Sequence, residues 1–323
     1  MSLFSSLREG AAPPVAVEIA AGRVSAASLE WRGGHPVVAL HATELLPRPA
    51  LVPSLTAANT HDRASVMTAL NRVLEKVGRP RRVSLVVPDA IAKVSLVRFE
   101  HVPARSADLD QLVRWQVRKS APFAIDEAQV TYVPGLRHSD GQEFVVSLAR
   151  RDIVQEYEGL CAEAGCQAGL VDIATFNVIN AVLAGSAPPA VDWLLVNVAA
   201  DSASIALLRG PHLIFFRNRA SDMEGTLADL VHQTAMYYED RLQGAGFARV
   251  VLAGAAAGAT RLGDVDEVRR SLADRLAAPV ETIDPRAAVS LTDRISAAPA
   301  LLDTLAPLVG ILLRDRKKDA VPA

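Results

Sequence analysis

Two stretches of this chain repeat one another. Val17-Glu18-Ile19-Ala20-Ala21-Gly22-Arg23-Val24 and Val196-Asn197-Val198-Ala199-Ala200-Asp201-Ser202-Ala203 each leave an apolar strand, pass a small-residue turn and enter a second strand. Each second strand ends in a matching turn, Arg32-Gly33-Gly34-His35 in the first copy and Arg209-Gly210-Pro211-His212 in the second. A third strand follows in both, Val37 to Leu40 and Leu213 to Phe216. Apolar β-branched runs broken by Gly and Pro turns are what a three-stranded meander requires. Finding the meander twice, once near the start of each half, predicts an internally duplicated α/β protein.

The 323 residues are enough for two lobes, and a hydrophobic content of 50% supplies a core for each. The net charge of −2 provides no field for nucleic acid or an acidic membrane surface. Cys161 and Cys166, the only cysteines, fall on one helix and its exit and read as ordinary thiols; no Cys/His cluster has zinc spacing. A membrane span needs roughly 18 apolar residues, and runs such as Leu308 to Leu313 fall far short, with no signal peptide in view. The expected compartment is therefore the cytoplasm. Leu3, Phe4 and Leu7 stand at helical spacing in Met1 to Arg8, a segment too short and weakly basic to anchor a membrane by itself; packing back or fraying is expected.

Duplicated meanders, each followed by helices, resemble the layout of the actin and sugar-kinase ATPase fold, an actin-like (ribonuclease H-like) bilobal α/β architecture. In that fold the two turns grip nucleotide phosphates from opposite sides. Carboxylates at the strand ends organise a metal-bound water, and glycines let backbone N–H groups reach phosphate oxygens. Where the first turn follows the pattern Asp-x-Gly-x-x-x-x-Lys, this chain has Glu18, Ala20 and Ser25. Where the second has Asp-x-Gly, it has Asn197 and Ala199. Ala20 and Ala199 add a Cβ where close approach is needed, Asn197 removes a charge that would hold hydrated magnesium, and Ser25 removes a cation. The third motif, a strand-to-helix turn, keeps one glycine, Gly254, in Val251-Leu252-Ala253-Gly254-Ala255-Ala256. Glu18, Gly22, Asn197, Asp201 and Gly254 thus outline a degenerate nucleotide cleft. The three losses predict a pseudo-ATPase with no catalytic residues and no resident metal or cofactor, ATP and magnesium finding at best a weakened site.

Helices are expected at Thr226 to Leu242, ended by Gly244 and Gly246, at Glu267 to Leu276, and from Ala306 with Pro307 in its first turn. Asp172 is expected to N-cap the apolar helix that ends near Leu183. Between the halves, a basic amphipathic helix at Leu109 to Lys119 runs through Ala121-Pro122-Phe123 and the acidic Asp126-Glu127. Strands follow around Val130 to Val133 and Phe144 to Ala149, then Arg150-Arg151-Asp152 and a helix to Ala164-Gly165.

This order resembles the inserted subdomain of the PilM family, actin-like cytoplasmic proteins of type IV pilus assembly. The resemblance implies a first lobe at 13–93 and 168–187, an inserted α+β subdomain at 94–167, and a second lobe at 190–297. A closing helix at 304–316 returns to the first lobe. The function it implies is that of an adapter at the inner face of the inner membrane. Such an adapter captures the short N-terminal cytoplasmic tail of a PilN-like inner-membrane protein and couples it to other pilus alignment and motor proteins. In the family the tail enters a groove between the first lobe and the inserted subdomain, for which Trp115, Arg118 and Phe123 are the candidate contacts. Leu109, Leu112, Val113 and Val117 form the buried stripe of that helix, and Trp115 falls outside it, as a binding anchor or as cover for a neighbouring loop. The alternative is an active ATP-binding protein of the PilM or FtsA type that polymerises, self-associates or switches with nucleotide.

Overall fold

A computed structural model describes residues 13–187, 191–220, 226–257 and 264–314. The N-terminal Leu3/Phe4/Leu7 segment, the Pro188-Pro189 step, Gly258 and the Arg316-Lys317-Lys318 tail lie outside the described residues.

The chain opens with the first meander, β1 (Val15–Ala20), β2 (Arg23–Arg32) and β3 (His35–Leu45), followed by α1 (Arg63–Lys76) and β4 (Arg82–Val87). An inserted unit follows: β5 (Ala92–Phe99), α2 (Ser106–Val117), β6 (Ala128–His138) and β7 (Gly141–Arg150). The path returns through α3 (Arg151–Glu163), β8 (Gln167–Ile173) and α4 (Ala174–Gly185). The second meander is β9 (Trp193–Val198), β10 (Ser202–Arg209) and β11 (His212–Ala220), followed by α5 (Leu227–Leu242), β12 (Arg249–Ala253), α6 (Val265–Leu276) and β13 (Val280–Thr282). Strand β14 (Ser290–Leu291) and the closing helix α7 (Pro299–Leu313) end the described chain.

Among the described residues three sheets result, ordered β14-β3-β2-β1-β4-β8, β11-β10-β9-β12-β13 and β5-β7-β6. In each lobe the meander is antiparallel and its first strand then pairs in parallel with the strand after the helix, β1 with β4 and β9 with β12. The duplication read from the two turns is therefore a duplication of topology, and the fold is actin-like.

Strand β1 sits at the centre of its sheet, so both its faces are buried and Val15-Ala16-Val17-Glu18-Ile19 reads as a nearly continuous apolar run. Its large residues, Val15, Val17 and Ile19, face α1 and α3; its small one, Ala16, with Ala27 of β2, faces α7. Helix α3 contributes Ile153, Tyr157, Leu160 and Cys161 to the first lobe's core, so the inserted unit proper is the β5-β7-β6 sheet with α2 laid across one face. Both cysteines are buried free thiols.

Helices α4 and α7 lie between the two lobes. Val178, Ile179 and Val182 of α4 and Ala306 of α7 pack with Trp193, Leu195 and Val251 of the second sheet, while Ala181, Leu305 and Leu308 pack on the first. Gly310 lets the two helices cross closely: a Cβ there would lie 1.7 Å from the Asn177 carbonyl oxygen.

Two expectations about helix ends are corrected. The closing helix begins at Pro299, not near Ala306; Pro299 takes the first-turn position and Pro307 is interior, where it removes the bond to the Asp303 carbonyl. Burial of its whole length from Leu302 to Leu312 outweighs that loss. Helix α5 starts as expected, with a reciprocal capping box between Thr226 and Asp229. Its left-handed terminal residue, however, is Gln243 rather than a glycine. Gly244 is required for another reason, since a Cβ there would lie 2.0 Å from the Tyr238 ring.

Candidate functional site

The two meander turns meet. A Cβ built on Gly22 in the β1–β2 turn would lie 3.5 Å from the Cβ of Ala200 in the β9–β10 turn. The two turns therefore face each other closely, with room at Gly22 for about one methyl group.

Around those turns several polar groups have protein partners. The buried Glu18 carboxylate takes a forked pair of bonds from Arg23, 2.9 Å from Nη2 and 3.2 Å from Nε. Asn197 is buried at the end of β9 and donates its Nδ2 to Thr175 Oγ1 at 2.9 Å. Thr175 opens α4 and gives both its N–H (2.9 Å) and its hydroxyl to Asp89, in a 3-10 turn after β4. Ser204 of β10 also donates to Asp89, at 2.7 Å, and accepts from Asn218 Nδ2 of β11 at 2.9 Å. Each hydroxyl thus accepts one bond and donates another, so neither is left without a partner. Burial pushes the Asp89 carboxyl above the ordinary carboxylate range, opposed by the bonds from Thr175, Ser204 and Asn197.

Gly254 holds φ at +76° after β12, and a Cβ there would lie 1.9 Å from the Val198 carbonyl oxygen. The turn that follows aims its Ala256 and Ala257 N–H groups at Asp303 Oδ2, at 2.6 and 3.3 Å. Backbone amides that could receive a phosphate oxygen therefore receive a carboxylate carried by α7. The Asp303 carboxyl is raised by burial, opposed by those amides and by the charge of Arg23. Asp201, in the β9–β10 turn, is likewise raised by burial, with Asp89 adding to the shift.

These residues do not fit a magnesium-bound triphosphate. Glu18 is engaged by a cation and Asn197 is turned into the protein. Among the described residues no group of three or more His, Cys, Asp or Glu stands in metal-binding geometry.

A cavity of about 760 Å³ does adjoin the second turn on the other side of the second sheet. It runs from Ala199, Ala200 and Ser202 to Glu267, Ser271 and Arg275 of α6.

A second cavity, of about 450 Å³, lies under the inserted sheet. One wall is the face of the inserted sheet turned away from α2: Thr131 and Val133 of β6, and Val145 and Ser147 of β7. The other walls are Ile91, Ile173 and Phe176 at the first lobe's edge and Leu208, Pro211 and Leu213 of the second meander. Alternation along β6 and β7 creates this wall, since Phe144, Val146 and Leu148 go to α2 and their neighbours to the cavity. Its rim carries an ion pair, Arg314 Nη1 to Asp172 Oδ2 at 2.6 Å. Asp172 is not the N-cap expected of it: it is the next-to-last residue of β8, its Oδ1 takes the Ile173 N–H at 2.9 Å, and α4 starts without a side-chain cap. Burial raises the Asp172 carboxyl and Arg314 opposes the shift.

Of the sequence candidates, Glu18, Gly22, Asn197, Asp201 and Gly254 are brought to the turn region together. Trp115, Arg118 and Phe123 do not line the cavity. Trp115 is 65% exposed on α2, Arg118 is exposed beside it, and Phe123 packs under that helix, all on the far face of the inserted sheet. Two residues were missed, Asp89 and Asp303. The signal for Asp303 was present: it is the only charged residue of α7, and it is buried.

The model of a family described as type IV pilus assembly protein PilM matches residues 16–240. Among solved structures, the fold is similar to that of a PilM–PilN type IV pilus biogenesis complex, with a TM-score of 0.77 at 16% identity over 97% of this chain and 100% of that one. A Bacteroides thetaiotaomicron protein with an actin-like ATPase fold gives a TM-score of 0.48 at 10% identity, over 94% of this chain and 98% of that one. The cytoplasmic domain of EpsL from the type II secretion system of Vibrio cholerae gives 0.45 at 11%, over 74% and 80%. No curated protein sequence matches the chain.

Proposed function

The chain belongs to the type IV pilus assembly protein PilM family, and on that premise we propose that it is a pilus-assembly adapter whose 450 Å³ cavity receives the N-terminal cytoplasmic tail of a PilN-like inner-membrane protein. The observation that carries this reading is the cavity's construction. Its lining is largely apolar, with a few polar groups such as Thr131, Ser147 and Asp172, and β6, an edge strand of the inserted sheet, forms part of its wall. An extended tail needs this combination: apolar anchors for one or two side chains and backbone partners for the main chain. The tail would hold the adapter at the inner face of the inner membrane, with other alignment and motor proteins on the remaining surface. Trp115 and Arg118 are then a separate surface for such partners or for self-association, rather than contacts to the tail.

On the same reading the turn region is a pseudo-ATPase site. The pairing of Glu18 with Arg23, the inward turn of Asn197 and the carboxylate on the Ala256 and Ala257 amides support it. Titration of the purified protein with the partner's tail peptide tests the adapter role: saturable binding is expected, lost when Thr131→Trp fills the cavity. A second reading, an ATP-binding protein that switches or polymerises with nucleotide, is favoured by the 760 Å³ cavity beside Ala199 and Ser202. Magnesium-dependent ATP binding, lost on Ser271→Trp, or nucleotide-dependent sedimentation would establish it.

A further inference from the structure

In an actin-like clamp a bound nucleotide touches both lobes, and that shared ligand is what draws them together. Here several bonds made by the protein itself cross the same gap. Asp303 rides on α7, whose Leu305 and Leu308 pack on the first sheet, yet its Oδ2 accepts from Ala256 and Ala257 beyond the second sheet's β12. Asp89 follows β4 of the first sheet, yet it accepts from Ser204 of β10. Asn197 of β9 reaches in the other direction, to Thr175 at the head of α4.

All the side chains involved are buried: Asp303, Asp89, Thr175, Asn197 and Ser204. None of these bonds trades freely with water. A lobe that swung away would strand amides and carboxylates in partly dry surroundings, a cost that falls on each broken bond. A Cβ added at Gly22 would just reach Ala200, so the two turns face each other closely in the position these bonds hold.

We infer that Asp303 and Asp89 are an internal clasp that holds the two lobes closed in place of a nucleotide, so that closure is a permanent property of this protein rather than a response to ligand. The clasp has a consequence for the cavity under the inserted sheet. Leu208, Pro211 and Leu213 of the second meander form one of its walls, so the cavity has its full shape only while the lobes are shut. That last step rests on the proposed tail site; the clasp itself does not.

The test measures lobe separation directly. Spin labels are placed on exposed Asn71→Cys of α1 and exposed Gln233→Cys of α5, with the native Cys161 and Cys166 buried away from the reagent. The otherwise wild-type chain is expected to give one narrow distance distribution that millimolar Mg-ATP leaves unchanged. Asp303→Ala and Ser204→Ala, the second keeping Asp89 in place should Asp89→Ala not fold, are expected to broaden and lengthen it. Amide exchange at Ala256 and Ala257 in Asp303→Ala should rise about tenfold or more. A wild-type distribution that is broad and narrows with Mg-ATP overturns the proposal. So do folded variants whose distances and exchange match the wild type. Tail-peptide affinity forms a separate arm: a peptide that binds neither wild type nor variants counts against the tail site alone, because the distance readout uses no peptide.

Discussion

In the turn region Glu18 is held by Arg23, Asn197 by Thr175, and the Ala256 and Ala257 amides by Asp303. Under the inserted sheet, Val145, Phe176 and Leu213 face an open space of about 450 Å³ with no such occupant. Both places are junctions between the same lobes, but in the first the polar groups bond one another across the lobes, whereas the second is lined largely by apolar side chains. A site under selection for a ligand leaves groups unmatched until the ligand arrives, whereas groups matched internally report a structural task. On the proposed function, recognition would sit beneath the inserted unit rather than between the turns.

Substitutions that break the contrast should differ in kind. The largest effect belongs to the closed side. Gly254→Ala forces a Cβ against the Val198 carbonyl at a left-handed φ. It should cost on the order of 3 kcal/mol or more of stability, seen as a lowered urea midpoint. A wild-type midpoint would mean the turn has slack enough for a ligand. Next comes the open side, where Thr131→Trp should weaken tail-peptide binding about 100-fold, roughly 2.7 kcal/mol, while thermal unfolding stays close to wild type. Unchanged affinity in a folded variant would move the tail elsewhere.

A smaller effect is expected from pH. Because burial raises the folded-state carboxyl of Asp89 above its unfolded value, the native state holds that proton more tightly. Its contribution to stability is therefore greatest below the ordinary carboxylate range and declines as pH rises through the raised folded value. Asp89→Asn, which cannot lose the proton, should lack that decline, so the stability difference between the two proteins narrows as pH rises above about 4. Parallel stability-versus-pH curves would contradict the assignment. The smallest effect is on the far face: Trp115→Ala should change tail affinity by less than about twofold, as exposed residues outside an interface do.

Much of the architecture was legible. The paired turns gave away the duplication because a meander needs glycine or proline at fixed places, and both copies kept them at Gly33-Gly34 and Gly210-Pro211. The stripe on α2 correctly left Trp115 outside, since helical periodicity alone decides which side a residue takes. Pro307 misplaced the start of α7 because local propensity puts proline in a first turn, and only tertiary burial reveals that this helix tolerates one inside. The cavity was hidden for a different reason. Its wall joins β6, β7, α4, the end of β8 and the second meander, segments that no local pattern relates. Trp115 looked like an anchor by type, while the wall that does face an opening is made of ordinary Thr131, Val145 and Ser147. Asp303 escaped because the turn motifs were read for what they had lost, and its carboxylate arrives from a helix some fifty residues further along the chain.

Calorimetric titration of the intact protein with the tail peptide, with and without saturating Mg-ATP, tests the central claim most directly. The account predicts one binding site per chain with the same affinity under both conditions, abolished by Thr131→Trp in each. Binding that appears only with nucleotide, or that survives the filled cavity, would contradict it.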